Sequence, residues 1–178
     1  MCTVLAYFGT DLSREEFETY LARTQERGPD DSKTVVLPQG GFLGFQRLAI
    51  MGLSPEGMQP FQLGNSWAIC NGELYGFRRM KQELEEKGYS FQSGSDCELI
   101  LPLYREYGTD LFRRLDAEFA CVIYDGEEKC VIAARDPIGI RPLFYGYSAS
   151  GGLAVASEAR SLVGWVEKIR PFPPGCYL

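Results

Sequence analysis

The chain has 178 residues, with 18 Lys and Arg against 24 Asp and Glu, no histidine, and a formal net charge of −6. That length suits one domain with a sizeable core, and 45% hydrophobic with 24% charged residues is ordinary for a globular protein. The acidic balance, with a pI near 4.8, argues against a nucleic-acid or anionic-membrane surface, which needs a basic patch, and no apolar run approaches the length of a membrane span.

In chain order, Cys2 to Gly9 reads as a buried strand ending at a turn glycine. Ser13-Arg14-Glu15-Glu16 is a capping-box pattern, after which Phe17, Tyr20, Leu21 and Thr24 share a helical face that should end near Gly28-Pro29. Thr34 to Leu37, Gly41 to Ile50 and Trp67 to Cys70 are β-type runs punctuated by glycine and proline. Phe77, Met80 and Leu84 have helical spacing, with Gly88 as a stop. Ser95-Asp96-Cys97-Glu98 has the pattern of a second capping box, opening a helix through Leu99, Leu103 and Tyr107. Pro102 should make that helix bend or start late. Leu111, Phe112, Leu115 and Phe119 suggest one more short helix. Ala120 to Tyr124 and Cys130 to Arg135 flank Asp125-Gly126, a hairpin signal, and Leu143 to Tyr147 and Leu153 to Ala156 flank a turn at Ser148 to Gly152. Strands in runs around a few helices imply an α+β layered domain with mainly antiparallel sheets.

Cysteines stand at 2, 70, 97, 121, 130 and 176, with no CxxC pair and no histidine. No zinc site is expected, nor a disulfide framework in a chain this long. A reducing cytoplasm is the simplest compartment, and the short N-terminal apolar stretch lacks the basic leader of a signal peptide.

Cys2 is the most informative residue. Its plain reading is packing, since free cysteine is among the most buried residue types. Yet removal of Met1 would leave the Cys2 thiol beside a free α-amine, a nucleophile with its own base. Without histidine, only thiols and an α-amine titrate near neutrality here. Three polar clusters stand near strand-like segments. In Gln46-Arg47-Leu48-Ala49-Ile50, the guanidinium of Arg47 is either a solvated surface charge or a planar fork for a carboxylate. In Cys70-Asn71-Gly72-Glu73, the Asn-Gly pair is either a turn or a pair of donors, amide and backbone N–H, aimed at one oxyanion. In Gly94-Ser95-Asp96-Cys97-Glu98, Asp96 either suits a helix start or pairs with a ligand ammonium.

These clusters, with Arg27-Gly28-Pro29-Asp30, Arg135-Asp136-Pro137-Ile138-Gly139-Ile140-Arg141-Pro142-Leu143 and Ala156-Ser157-Glu158, closely resemble, in family order and over nearly the whole chain, the glutaminase domain of class II glutamine amidotransferases. Those are N-terminal nucleophile hydrolases, and Asn71-Gly72-Glu73-Leu74-Tyr75 favours the asparagine synthetase branch. The resemblance implies a four-layer αββα sandwich over residues 1–178. It implies that Cys2, freed of Met1, attacks the side-chain amide of L-glutamine, that Asn71 and the Gly72 N–H hold the oxyanion, and that Arg47 and Asp96 hold the α-carboxylate and α-ammonium. Glu73 and the backbone around Leu48 and Ile50 would complete the pocket. No cofactor is implied for this reaction; ATP and magnesium belong to a synthetase domain or subunit, absent from this chain, that would receive the ammonia.

Two positions depart from the pattern: Glu26 replaces a frequent histidine, and Gln46 a frequently charged residue. Ser150-Gly151-Gly152-Leu153, superficially similar to an ATP-pyrophosphatase loop, reads as a turn. Two other functions remain open on these residues. One is a catalytically inactive regulatory or interaction module that keeps the fold. The other is an N-terminal-nucleophile amidase for other amides.

Overall fold

A computed structural model describes residues 1–178. Its strands are β1 (Thr3–Phe8), β2 (Asp31–Val36), β3 (Phe42–Arg47), β4 (Phe61–Leu63), β5 (Ser66–Leu74), β6 (Ala117–Asp125), β7 (Cys130–Arg135), β8 (Phe144–Tyr147), β9 (Leu153–Ala156) and β10 (Arg170–Pro171). Its α-helices are α1 (Arg14–Ala22), α2 (Phe77–Glu86), α3 (Ile100–Tyr107) and α4 (Leu111–Arg114). One sheet has the order β10-β8-β9-β1-β3-β2, the other β4-β5-β6-β7, and the pairings are antiparallel.

The layering follows from strand alternation. Val4 and Ala6 of β1 meet Ile69, Ala120 and Val122 of the second sheet in a core between the sheets. Leu5 and Tyr7 face the other way, onto Phe17 and Leu21 of α1. On the far side, Cys70, Phe119, Cys121 and Ile123 pack under Leu84 of α2 and Ile100 and Leu103 of α3. The result is the αββα sandwich, with β1 central in its sheet.

Several local expectations hold. Ser13 Oγ accepts from the Glu16 N–H (3.2 Å) while the Glu16 carboxylate accepts from the Ser13 N–H (2.9 Å), so the first capping box forms. The helix bearing Pro102 starts late, after a 3₁₀ turn at Asp96–Leu99. Pro102 is thereby in the first turn, where a missing N–H breaks no helical bond. The Ser150-Gly151-Gly152 stretch is the β8–β9 hairpin turn, with Gly151 at φ 87°.

Two expectations are corrected, and one of the two readings of Asn71-Gly72 falls away. The second capping box does not form: the Glu98 carboxylate accepts from the Gln92 and Ser93 N–H groups (2.8 Å each) and tightens the loop ahead of Asp96 instead. The short helix after Leu111 ends at Arg114, and Phe119 belongs to β6, where cross-strand pairing overrides helical spacing. Asn71-Gly72 is no turn, because β5 continues through both to Leu74 against β6.

Candidate active site

One cleft gathers every residue singled out from the sequence. Cys2, Arg47, Leu48, Ile50, Asn71, Gly72, Glu73 and Asp96 all line it, beside Met1, Gln59, Cys97 and Arg141. Register explains much of this. Thr3 pairs with Gln46, which sets Cys2, one step earlier, opposite Arg47 at the end of β3. On β5, Asn71 alternates with Cys70 and so shares the face of Ile69, the face toward β1.

The Cys2 sulfur is bracketed by Leu48, whose N–H donates to it (3.4 Å) and whose carbonyl lies at 3.5 Å. Burial pushes the thiol pKa up; the Leu48 N–H and the positive charges of the terminus, Arg47 and Arg141 oppose that shift without cancelling it. The Cys2 carbonyl is tied to Arg27 Nε (3.0 Å), and Arg27 is paired with Glu158 (3.2 Å). Met1 sits at the rim, its ammonium donating to the Arg27 carbonyl (3.0 Å) and its sulfur 2.8 Å from Arg141 Nη1. With Met1 attached, the Cys2 nitrogen is an amide and has no basic lone pair.

Arg47 is buried rather than solvated, 7% exposed. Its Nη1 donates to the Ser54 carbonyl (2.9 Å) and its Nη2 to the Gly52 carbonyl, which plants the guanidinium in the 48–58 loop and leaves its other N–H donors for a ligand. Gly57 makes room: a Cβ there would lie 2.6 Å from Arg47 Nη2. Asp96, also buried, accepts the Leu74 N–H on Oδ2 (2.6 Å), and no protein group meets its Oδ1. A fixed cation and a fixed anion therefore flank one cleft, a pattern matched to a free amino acid.

Two donors point into the cleft without a partner. Asn71 is 3% exposed, and its Nδ2 has no hydrogen-bond acceptor. The Gly72 N–H follows from the ladder. Cys70 and Leu74 donate away from β6, to Gln59 and Asp96. Gly72, midway between them, must point the same way. Its cross-strand partner Phe119 agrees, exchanging its own backbone bonds with Asp136 (2.8 and 3.3 Å) rather than with β5. Buried donors left open beside a nucleophile are the arrangement that stabilises a developing oxyanion.

Of the departing positions, Glu26 lies exposed on a 3₁₀ turn outside the cleft, and Gln46 is buried and accepts the Thr24 hydroxyl (3.0 Å), a role an uncharged residue fills. Sequence reasoning did not single out Gly57, Gln59 or Arg141 as site residues. Only Arg141 carried a local signal, within Arg135 to Leu143.

A thiol on the residue just ahead of a central strand in an αββα sandwich, in one cleft with two free donors, is the arrangement of an N-terminal nucleophile hydrolase fold. The profile of the glutamine amidotransferase domain family matches residues 1–171, and the chain belongs to that family. It is 38% identical over 187 residues to a probable glutamine-hydrolysing asparagine synthetase of Acanthamoeba polyphaga mimivirus, covering 100% of this chain and 34% of that protein. It is 36% identical over 186 residues to the glutamine-hydrolysing asparagine synthetase B of Escherichia coli strain K12, covering 100% and 33%. Among solved structures it resembles the glutamine phosphoribosylpyrophosphate amidotransferase from B. subtilis complexed with ADP and GMP, with a TM-score of 0.84, 25% identity, and 99% of this chain against 46% of that one. The chain spans about a third of the length of the curated relatives it matches. No helix is long and apolar enough to cross a membrane.

Proposed function

We propose that residues 1–178 form a glutaminase unit that hydrolyses L-glutamine to glutamate and ammonia with Cys2, after removal of Met1, and delivers the ammonia to an asparagine synthetase-type domain or subunit. The observation that carries this reading is the unpartnered Asn71 Nδ2, beside the free Gly72 N–H, in the cleft that holds the Cys2 thiol. Arg47 takes the substrate α-carboxylate and Asp96 Oδ1 its α-ammonium. Leu48, Ile50 and Glu73 border the side chain. The freed α-amine of Cys2 accepts the thiol proton and the sulfur attacks the amide carbon. The oxyanion rests on Asn71 and Gly72. The amine returns its proton to the departing nitrogen, releasing ammonia and leaving a thioester. Water, deprotonated by the same amine, cleaves the thioester, and glutamate leaves as the thiol is restored. This reaction needs no metal or cofactor; ATP and magnesium would serve the synthetase. The six thiols suit a reducing cytoplasm.

The test compares glutamate release by protein with and without Met1, the terminus verified by mass spectrometry, alongside a trimmed Cys2→Ala variant. Trimmed protein should be active, and untrimmed and Cys2→Ala protein silent. Equal rates with and without Met1 would remove the amine from the mechanism. Trimmed protein that neither turns over glutamine nor reacts at Cys2 with a glutamine-like electrophile would make this fold a quiet module.

A further inference from the structure

The edge of β5 carries a feature that neither family membership nor the catalytic proposal assigns. β4 pairs with β5 only from Phe61↔Ala68 to Leu63↔Ser66. Extending that register by two pairs would set residue 59 against Cys70, but the ladder stops at Phe61 and no backbone bond joins Gln59 to Cys70. The Gln59 side chain takes over. Its Oε1 accepts from the Cys70 N–H (2.6 Å) and its Nε2 donates to the Cys70 carbonyl (2.9 Å), the two bonds a neighbouring strand would supply. Gln59 is 4% exposed and both ends of its amide are used. A primary amide offers a donor and an acceptor side by side in this way, which an ionised carboxylate does not.

Along this edge the next N–H is that of Gly72, and the one after it belongs to Leu74, held by Asp96. The oxyanion donor is therefore a one-residue gap between two side-chain clamps. The Gly72 carbonyl is also held, by the Cys97 thiol (3.7 Å). We infer that Gln59 is a positioning residue: it stands in for a missing strand and fixes the direction of the Gly72 N–H without touching substrate. Oxyanion donors act only when their geometry is preset, and a displacement near 1 Å costs on the order of 10²-fold in rate.

The inference rests on the glutaminase reading, and the experiment separates the two. In protein freed of Met1, Gln59→Met keeps length and removes both hydrogen bonds, while Gln59→Glu keeps the acceptor and replaces the donor. In each variant that folds, kcat should fall by about 10–100-fold with KM for glutamine little changed. Affinity for the aldehyde analogue of glutamine, whose adduct with the thiol bears an oxyanion, should fall by the same factor. Affinity for glutamate should not move. An unchanged kcat, or KM and glutamate affinity worsening in step with kcat, would overturn the inference in favour of a purely structural role. An amide NMR spectrum without substrate decides the point even if the parent does not turn over glutamine. The Gly72 cross-peak should shift together with that of Cys70; movement of Cys70 alone sinks the positioning role.

Discussion

Replacing Asn71 with alanine should separate activity from stability with opposite signs. In the resting protein the Asn71 Nδ2 is buried with no acceptor. An orphaned buried donor carries a desolvation cost of about 1–3 kcal/mol, and truncation removes that cost. Against it stands the lost packing of the amide carbon, about 1 kcal/mol. The net is a variant between equally stable and roughly 2 kcal/mol more stable, a rise in Tm of about 2–4 °C per kcal/mol at this chain length. Catalysis moves the other way. Loss of one oxyanion donor costs about 10²–10³ in kcat, or about 2.7–4 kcal/mol, and KM should stay close to the parent value because the ground-state carbonyl needs that donor little. Thermal unfolding and steady-state glutamate release on the same trimmed preparation measure both. If Asn71→Ala melts well below the parent while kcat stays within about threefold, Asn71 serves the fold and the oxyanion assignment is wrong.

Asp96→Asn should raise KM for glutamine by about 10–100-fold, the size of one lost charge-assisted hydrogen bond of about 1.5–3 kcal/mol, with a smaller change in kcat; a KM within twofold of the parent removes Asp96 from ammonium binding. Asp136 should set an acid limit on stability. Burial alone would raise its carboxyl, but the N–H groups of Arg141, Ile140, Gly139 and Ile138 together hold it below the usual range. A pKa depressed on folding contributes stability above the unfolded value of about 3.9 and loses it as pH falls through the lower folded value. Denaturant midpoints followed from pH 6 downward should therefore drop at the acid end, and Asp136→Asn should be less stable near neutrality with a flatter acid limb. An identical acid slope in both proteins would show that other carboxylates set it.

What could be read from the sequence divides along a physical line. Cys2 stood out because few groups titrate near neutrality in a chain without histidine, and Arg47, Asn71, Gly72 and Asp96 because they sit in motifs; all five line one cleft. The helix after Ser13 was legible because its cap is made by residues three apart. The Asn71-Gly72 pair shows where local reasoning fails. Its composition favours a turn, yet nine residues of β5 run straight through it, fixed by pairing with β6 some fifty positions away. Glu98 shows the same in reverse: its pattern with Ser95 was local and correct in type, but the carboxylate finds the Gln92 and Ser93 N–H groups instead. Gln59 left no trace at all, since its role exists only relative to a ladder that ends two residues short of it.

A nucleophile at a chain end poses a physical difficulty, because termini fray while catalysis tolerates little displacement. The fold answers it by making the terminal strand an interior one. β1 lies between β9 and β3, so both of its edges are bonded. Where the β9 pairing ends at Leu5↔Ala156, Ser157 continues it: its Oγ accepts the Val4 N–H and its own N–H donates to the Val4 carbonyl, 2.9 Å each. One step further out, Arg27 holds the Cys2 carbonyl from a position itself locked by Glu158, which also pairs with Arg160 (2.6 Å). None of these ties uses the Met1 residue. Cleavage of Met1 therefore frees the Cys2 amine without loosening what aims its thiol, and the Arg27 carbonyl that now accepts the Met1 ammonium is left free of that contact.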